Sequence, residues 1–106
     1  MKVYLSGRKG QVDAIAEYLI DSGELIVLKG SRISDSVAGG KFRSARSVEN
    51  RRSEGDVKNS VVVKDMHFKS ASAAANFVTG RSTNGLIAWK TKEGKTLKAY
   101  LSESEQ

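Results

Sequence analysis

The sequence predicts an α+β domain: a small antiparallel β-sheet of short strands and hairpins, with one or two helices packed on one face. Three observations carry this. Two aliphatic runs, VDAIAEYLI (12–20) and ELIVLKG (24–30), are separated only by Asp-Ser-Gly, the spacing of a hairpin. A serine-led, alanine-rich run, SASAAANFV (70–78), ends two residues later at Gly80, the pattern of a capped helix. The remaining apolar segments are short and bounded by turn residues.

Length and composition set the limits. The chain has 106 residues, which suits one domain spanning 1–106. It contains no cysteine, so disulfides, a thiol nucleophile and thiolate metal sites are excluded. It contains one histidine, His67, which excludes a histidine metal cluster. No apolar run has the length of a membrane span and MKVYLSGRKG lacks a signal-peptide core, so a soluble cytoplasmic protein with no membrane partner is expected. The net charge is +6, unevenly placed. Charges balance over residues 1–40, whereas residues 41–100 hold thirteen Lys and Arg against five acidic residues. Such a one-sided excess is the electrostatic footprint of a nucleic-acid binder, or of a lysine-rich solvated face.

Along the chain, KVYLS (2–6) alternates Val3 and Leu5 against Lys2, Tyr4 and Ser6, as a strand does. Residues 12–20 also fit a helical stripe, but the short Asp-Ser-Gly connection favours pairing with 24–30. Residues 31–46 have few apolar positions and the pair Gly39-Gly40, predicting an exposed mobile loop. Residues 44–57 form a candidate helix, capped by Ser44 or Ser47 and ended by Gly55. Val61-Val62-Val63 is the clearest strand of 57–68. In the helix of 70–78, Ser70 or Ser72 caps the first turn and Phe68 staples to the next; Ala71, Ala74, Ala75 and Val78 form a stripe of small residues, and Gly80 stops the helix. LIAWK (86–90) and TLKAYL (96–101) are expected to be strands joined by a turn at Glu93-Gly94, and residues 102–106 a frayed tail. Asn84-Gly85 is expected to make a tight turn with positive φ.

The chemistry is sparse. His67 is the only side chain suited to acid–base work near neutrality, and its spacing from Asp65 and Ser70 is not that of a triad. Glu49, Glu54 and Asp56 are scattered among arginines rather than gathered for a metal. The glycines of LKGSRIS and VAGGKFRS do not make a P-loop. The chain is therefore expected to be no enzyme and to need no cofactor or metal. What stands out is basic: Lys41, Arg43, Arg46, Arg51 and Arg52 follow one another with Phe42 among them, a pattern suited to phosphate contacts. Trp89, beside Lys90 and Lys92, is either a core residue or a platform for a base.

The stretch from Phe68 to Leu97 resembles a family. Phe68, Ser70, Ser72 and Ala73-Ala74-Ala75, then Gly80-Arg81-Ser82 with Asn84-Gly85, then Trp89-Lys90, then Gly94-Lys95 and Leu97, follow in order the signature of a small domain of unknown function. That domain is found C-terminal to GIY-YIG nuclease domains and in restriction–modification proteins. LIVLKGS (25–31) resembles its Val-Leu-Lys-Gly-Ser strand; residues 31–56 match loosely, and Leu86 stands where an aromatic is usual. The closing pattern is similar to that of the restriction–adenine-methylase-associated domain. The resemblance implies an accessory role: binding DNA or modified DNA, or else acting as a protein-interaction subunit or regulator of a nuclease or methyltransferase. The candidate nucleic-acid contacts are Lys41, Arg43, Arg46, Arg51, Arg52, Lys69, Arg81, Asn84, Trp89, Lys90, Lys92 and Lys95.

Overall fold

The structure, a computed structural model, describes residues 1–7, 12–34, 50–52 and 55–104. Its elements are β1 (Lys2–Gly7), β2 (Val12–Leu19), β3 (Glu24–Val27), β4 (Val57–Lys58), β5 (Val61–Val62), β6 (Met66–Phe68), α1 (Ala71–Thr79), α2 (Gly85–Ala88) and α3 (Leu97–Ser104). β1, β2, β3 and β6 form one antiparallel sheet in that order. The hairpin of β2 and β3 is the one the sequence predicts, with Leu19 opposite Glu24.

Alternation decides which side of the sheet is inside, because successive side chains of a strand point to opposite faces. Val3 and Leu5, then Val12, Ala14, Ala16 and Tyr18, then Leu25 and Val27, then Met66 and Phe68 are all buried. α1 lies across this face. Its Ala71, Ala74, Ala75, Phe77 and Val78 are buried, and the small alanines let its backbone approach the sheet closely. Phe77 reaches past them to Phe68, with ring centroids 4.9 Å apart, and burial of such a ring contributes about 2 kcal/mol. Phe68 thus packs towards the far end of α1 as well as preceding its cap. The cap is as the sequence predicts: Ser70 Oγ accepts from Ala73 N–H at 3.1 Å. Gly80 closes the helix in the left-handed region (φ 74°), and its N–H donates to Asn76 O at 2.9 Å.

The segment expected as a mobile loop is anchored at its start. Ser31 and Ile33 are buried. Ser31 Oγ accepts from Ile15 N–H at 3.0 Å and donates to Ile15 O at 3.1 Å, filling a gap in the β2 ladder. Gly30 N–H donates to Val62 O and Val62 N–H to Ser31 O, so this stretch stitches the β4–β5 hairpin to the sheet. Residues 35–46 lie outside the described residues. Of the helix expected over 44–57, Asn50, Arg51 and Arg52 are helical and Val57 begins β4 instead.

The C-terminal third departs most from expectation. Residues 86–88 belong to a four-residue helix rather than a strand. Only Lys90 behaves as strand, exchanging two backbone hydrogen bonds of 2.8 Å with Tyr4 on β1. Residues 97–101 are helical too, and the supposed frayed tail continues that helix to Ser104. Thr96 caps it, its Oγ1 accepting from Ala99 N–H at 3.1 Å, while Leu97 is buried and Leu101 packs against the core. The expected turn between them is present: Gly94 N–H donates to Thr91 O at 2.9 Å.

Candidate functional site

α2 is fixed by its contact with the first turn of α1. Gly85 N–H donates to Ser72 Oγ at 3.0 Å. A Cβ at Gly85 would lie 2.2 Å from the Ala71 carbonyl carbon and 2.4 Å from Ser72 N, so only glycine fits. One turn later Trp89 is fully buried and its indole Nε1–H donates to Ala71 O at 3.0 Å. The Asn84-Gly85 pair is therefore no positive-φ turn. Asn84 has φ −77° and caps α2, its Oδ1 accepting from Leu86 N–H at 3.1 Å. Trp89 is correspondingly no stacking platform, since both faces of its ring are inside the core. Among the described aromatics Tyr4 and Tyr100 stay half-buried; Tyr4 lies on the outer side of the sheet and is paired with Lys90. The alternation of Tyr4 with Val3 and Leu5 was the signal for it.

The candidate cations divide into two groups. Arg52 serves the fold. Its guanidinium donates to Phe77 O (2.7 and 3.2 Å), to Ser34 O (2.8 Å) and to Ser34 Oγ (2.9 Å), and it lies 5.7 Å from the Phe77 ring centroid. The last carbonyls of a helix lack intrahelical partners and carry partial negative charge, so a guanidinium there is stabilising. Its expected role as a phosphate contact gives way to that of a C-terminal clasp on α1. Arg51 is similarly engaged: Nη1 donates to His67 O at 3.0 Å and the guanidinium sits 4.3 Å over the Phe68 ring. Lys95 pairs with Glu103 on α3.

Lys69, Arg81, Lys90 and Lys92 form the second group. All four side chains are exposed, and among the described residues none has an acidic partner. Arg81 stands on a loop that is tightly held. Thr83 N–H donates to Asn76 Oδ1 at 2.8 Å, the Thr79 and Thr83 hydroxyls lie 2.7 Å apart, and both donate to Arg81 O. Gly85 rests on Ala71 and the Trp89 indole bonds its oxygen, so α2 and Lys90 beyond it lie by the start of α1, just after Lys69, whereas the loop of Arg81 to Asn84 runs back to that point from the far end of α1, where Thr79 Oγ1 donates to Arg81 O. Lys41, Arg43 and Arg46 lie outside the described residues.

His67 is exposed on the outer side of β6, with Nε2 3.3 Å from Glu24 Oε2. Ser70 is committed to its cap. Among the described residues no three His, Asp or Glu side chains gather to hold a metal, and no helix is long and apolar enough to cross a membrane.

The fold defines a small α+β module built around one main sheet, one alanine-faced helix and a glycine–tryptophan lock. The chain belongs to the DUF4357 family, a domain of unknown function, whose profile matches residues 4–101. No curated protein and no solved structure matches it.

Proposed function

We propose that the protein is a non-catalytic accessory module that binds nucleic acid, DNA or modified DNA, in a restriction or mobile-element setting such as that of GIY-YIG nucleases. The observation that carries this is the set of exposed cations without acidic partners among the described residues: Lys69, Arg81 and Lys90 next to backbone tied by the α1–α2 contact and the Thr83–Asn76 bond, and Lys92 on the turn that follows. Phosphate contacts are made by such side chains, and a pre-organised frame reduces the entropy lost on binding. Tyr4 beside Lys90 adds a surface ring where a base could rest. The test is fluorescence anisotropy with short duplexes, unmethylated and adenine-methylated, over a salt series. Binding that weakens steeply with salt supports the reading, and a methyl preference makes the protein a reader of modification. Absence of binding at low salt refutes it.

A second reading, a subunit or regulator that binds a nuclease or methyltransferase, draws on the outer side of the sheet. There Tyr4, Ile15, Ile26 and Leu28 share a face that no described helix covers, and Ile15 is 37% exposed. Such a face suits a protein partner. Its binding would survive salt that strips DNA.

A further inference from the structure

Leu86 and Ile87 are consecutive aliphatic side chains at the surface, 38% and 45% exposed. They are there by construction. α2 turns Gly85 and Ala88 inwards, Trp89 follows into the core, and the helix is too short to offer a polar outer side. Beside them Asn84 is exposed, and its Oδ1 is tied to Leu86 N–H. That bond orients the amide and leaves its NH₂ group, which no described residue engages, to donate outwards. Three exposed cations belong to the adjoining backbone: Arg81 three residues before Asn84 on the same loop, Lys69 two residues before the Ala71 on which Gly85 rests, and Lys90 next to Trp89, whose indole bonds Ala71 O.

A ligand that meets the tip and its neighbouring cations needs an apolar surface, hydrogen-bond acceptors and negative charge. A membrane surface satisfies the cations and aliphatic groups but leaves the amide without a partner in the acyl region, and two side chains are a small anchor. Nucleic acid satisfies all three: phosphates for the cations, acceptors on base edges for the amide, and the flat side of a base for Leu and Ile. We propose that Leu86 and Ile87 form a wedge that enters a base step and unstacks it. The Asn84 amide then donates to the exposed base edge, and Arg81, Lys69 and Lys90 contact the adjoining phosphates. This rests on the nucleic-acid reading above and adds to it a class of substrate: nucleic acid whose bases separate easily, such as mismatched or already unpaired steps, where less stacking must be given up.

The experiment uses the full chain, a 2-aminopurine reporter in a matched duplex, and the same duplex with a mismatch beside the reporter. The Leu86→Ala/Ile87→Ala double variant is the comparison; both side chains are exposed, and unchanged Trp89 emission verifies that it is folded. The wild type is expected to raise reporter emission and to prefer the mismatch by about tenfold, the equivalent of little more than 1 kcal/mol of unstacking spared. The double variant is expected to bind the matched duplex within about threefold of wild type, since its phosphate contacts are intact, and to lose both the emission rise and the preference. Salt-dependent binding with silent reporter emission and no preference overturns the wedge alone. A double variant that keeps the preference does so too, as does one that loses only binding to anionic phosphatidylserine vesicles. No binding of either duplex at low salt overturns the nucleic-acid reading itself.

Discussion

Gly85 lies against the peptide of Ala71 so closely that a methyl group there would stand 2.3 Å from the Ala71 oxygen. The same oxygen accepts the Trp89 indole N–H. One carbonyl at the start of α1 thus locates both ends of α2, and everything carried on the intervening backbone is placed by it. Gly85→Ala is expected to cost at least about 3 kcal/mol, because the clash is with backbone that cannot step aside. Thermal unfolding monitored by circular dichroism checks this, and a variant as stable as wild type would mean the two helices are not in contact.

Trp89 is the chain's sole tryptophan, so its fluorescence reports one site. Full burial predicts a blue-shifted emission that iodide does not quench and that moves to the red on unfolding. Bound DNA should leave the emission unquenched, since no base reaches the ring. Trp89→Phe removes the bond to Ala71 O and leaves a small void; a loss of about 2 kcal/mol is expected in denaturant unfolding.

Arg52 and Arg81 are predicted to behave oppositely. Arg52→Ala deprives the carbonyls of Phe77 and Ser34 of a charged donor and should destabilise by about 2 kcal/mol. Arg81→Ala touches no such contact and should leave the melting temperature unchanged while weakening DNA binding. Urea titrations of both variants beside binding curves at one salt concentration separate the two roles. Equal stability losses would contradict the division of the cations.

The four exposed cations, Lys69, Arg81, Lys90 and Lys92, should act together on the salt dependence. Each of Lys69→Ala, Arg81→Ala, Lys90→Ala and Lys92→Ala is expected to lower the slope of log K against log salt by about 1 and to weaken binding evenly across sequences. Lys95→Ala should do less, its ammonium being shared with Glu103. A slope unchanged in all four variants would move the contact surface elsewhere.

Ser70→Ala removes the oxygen that accepts from Ala73 N–H, and a loss of about 1 kcal/mol is expected in the same unfolding assay. Restoration by Ser70→Asp, which keeps an acceptor at the cap, would tie the loss to capping.

The parts of the fold that were legible in the sequence are those set by neighbours along the chain. The β2–β3 hairpin follows from alternation around Asp-Ser-Gly, and α1 from a serine, a stripe of small residues and a glycine at the left-handed stop. Residues 86–88 depart from the expected strand because their determinants are distant. Five residues of LIAWK alternate as well as they turn, and what makes them helical is the socket at Ala71, invisible without the fold. α3 did carry a local signal: Thr96 as cap, then apolar Leu97, Tyr100 and Leu101 at helical spacing. β-Propensity in TLKAYL outweighed it. For the candidate site, the excess of positive charge was plain in composition, but which cations the fold consumes was not. Arg51 and Arg52 differ from Arg81 only in what lies across from them in space.

Each flank of the main sheet has one rung engaged. Lys90 occupies the outer rung of β1 through its paired bonds with Tyr4, and the Arg51 guanidinium holds the outward carbonyl of His67 on β6. A strand offered by another polypeptide meets a ladder already interrupted on either flank. Those contacts work against edge-to-edge pairing between copies of the module and make strand addition a less open route for a partner. An approach to a face or a loop end meets no such obstacle, and there side chains rather than backbone decide the outcome.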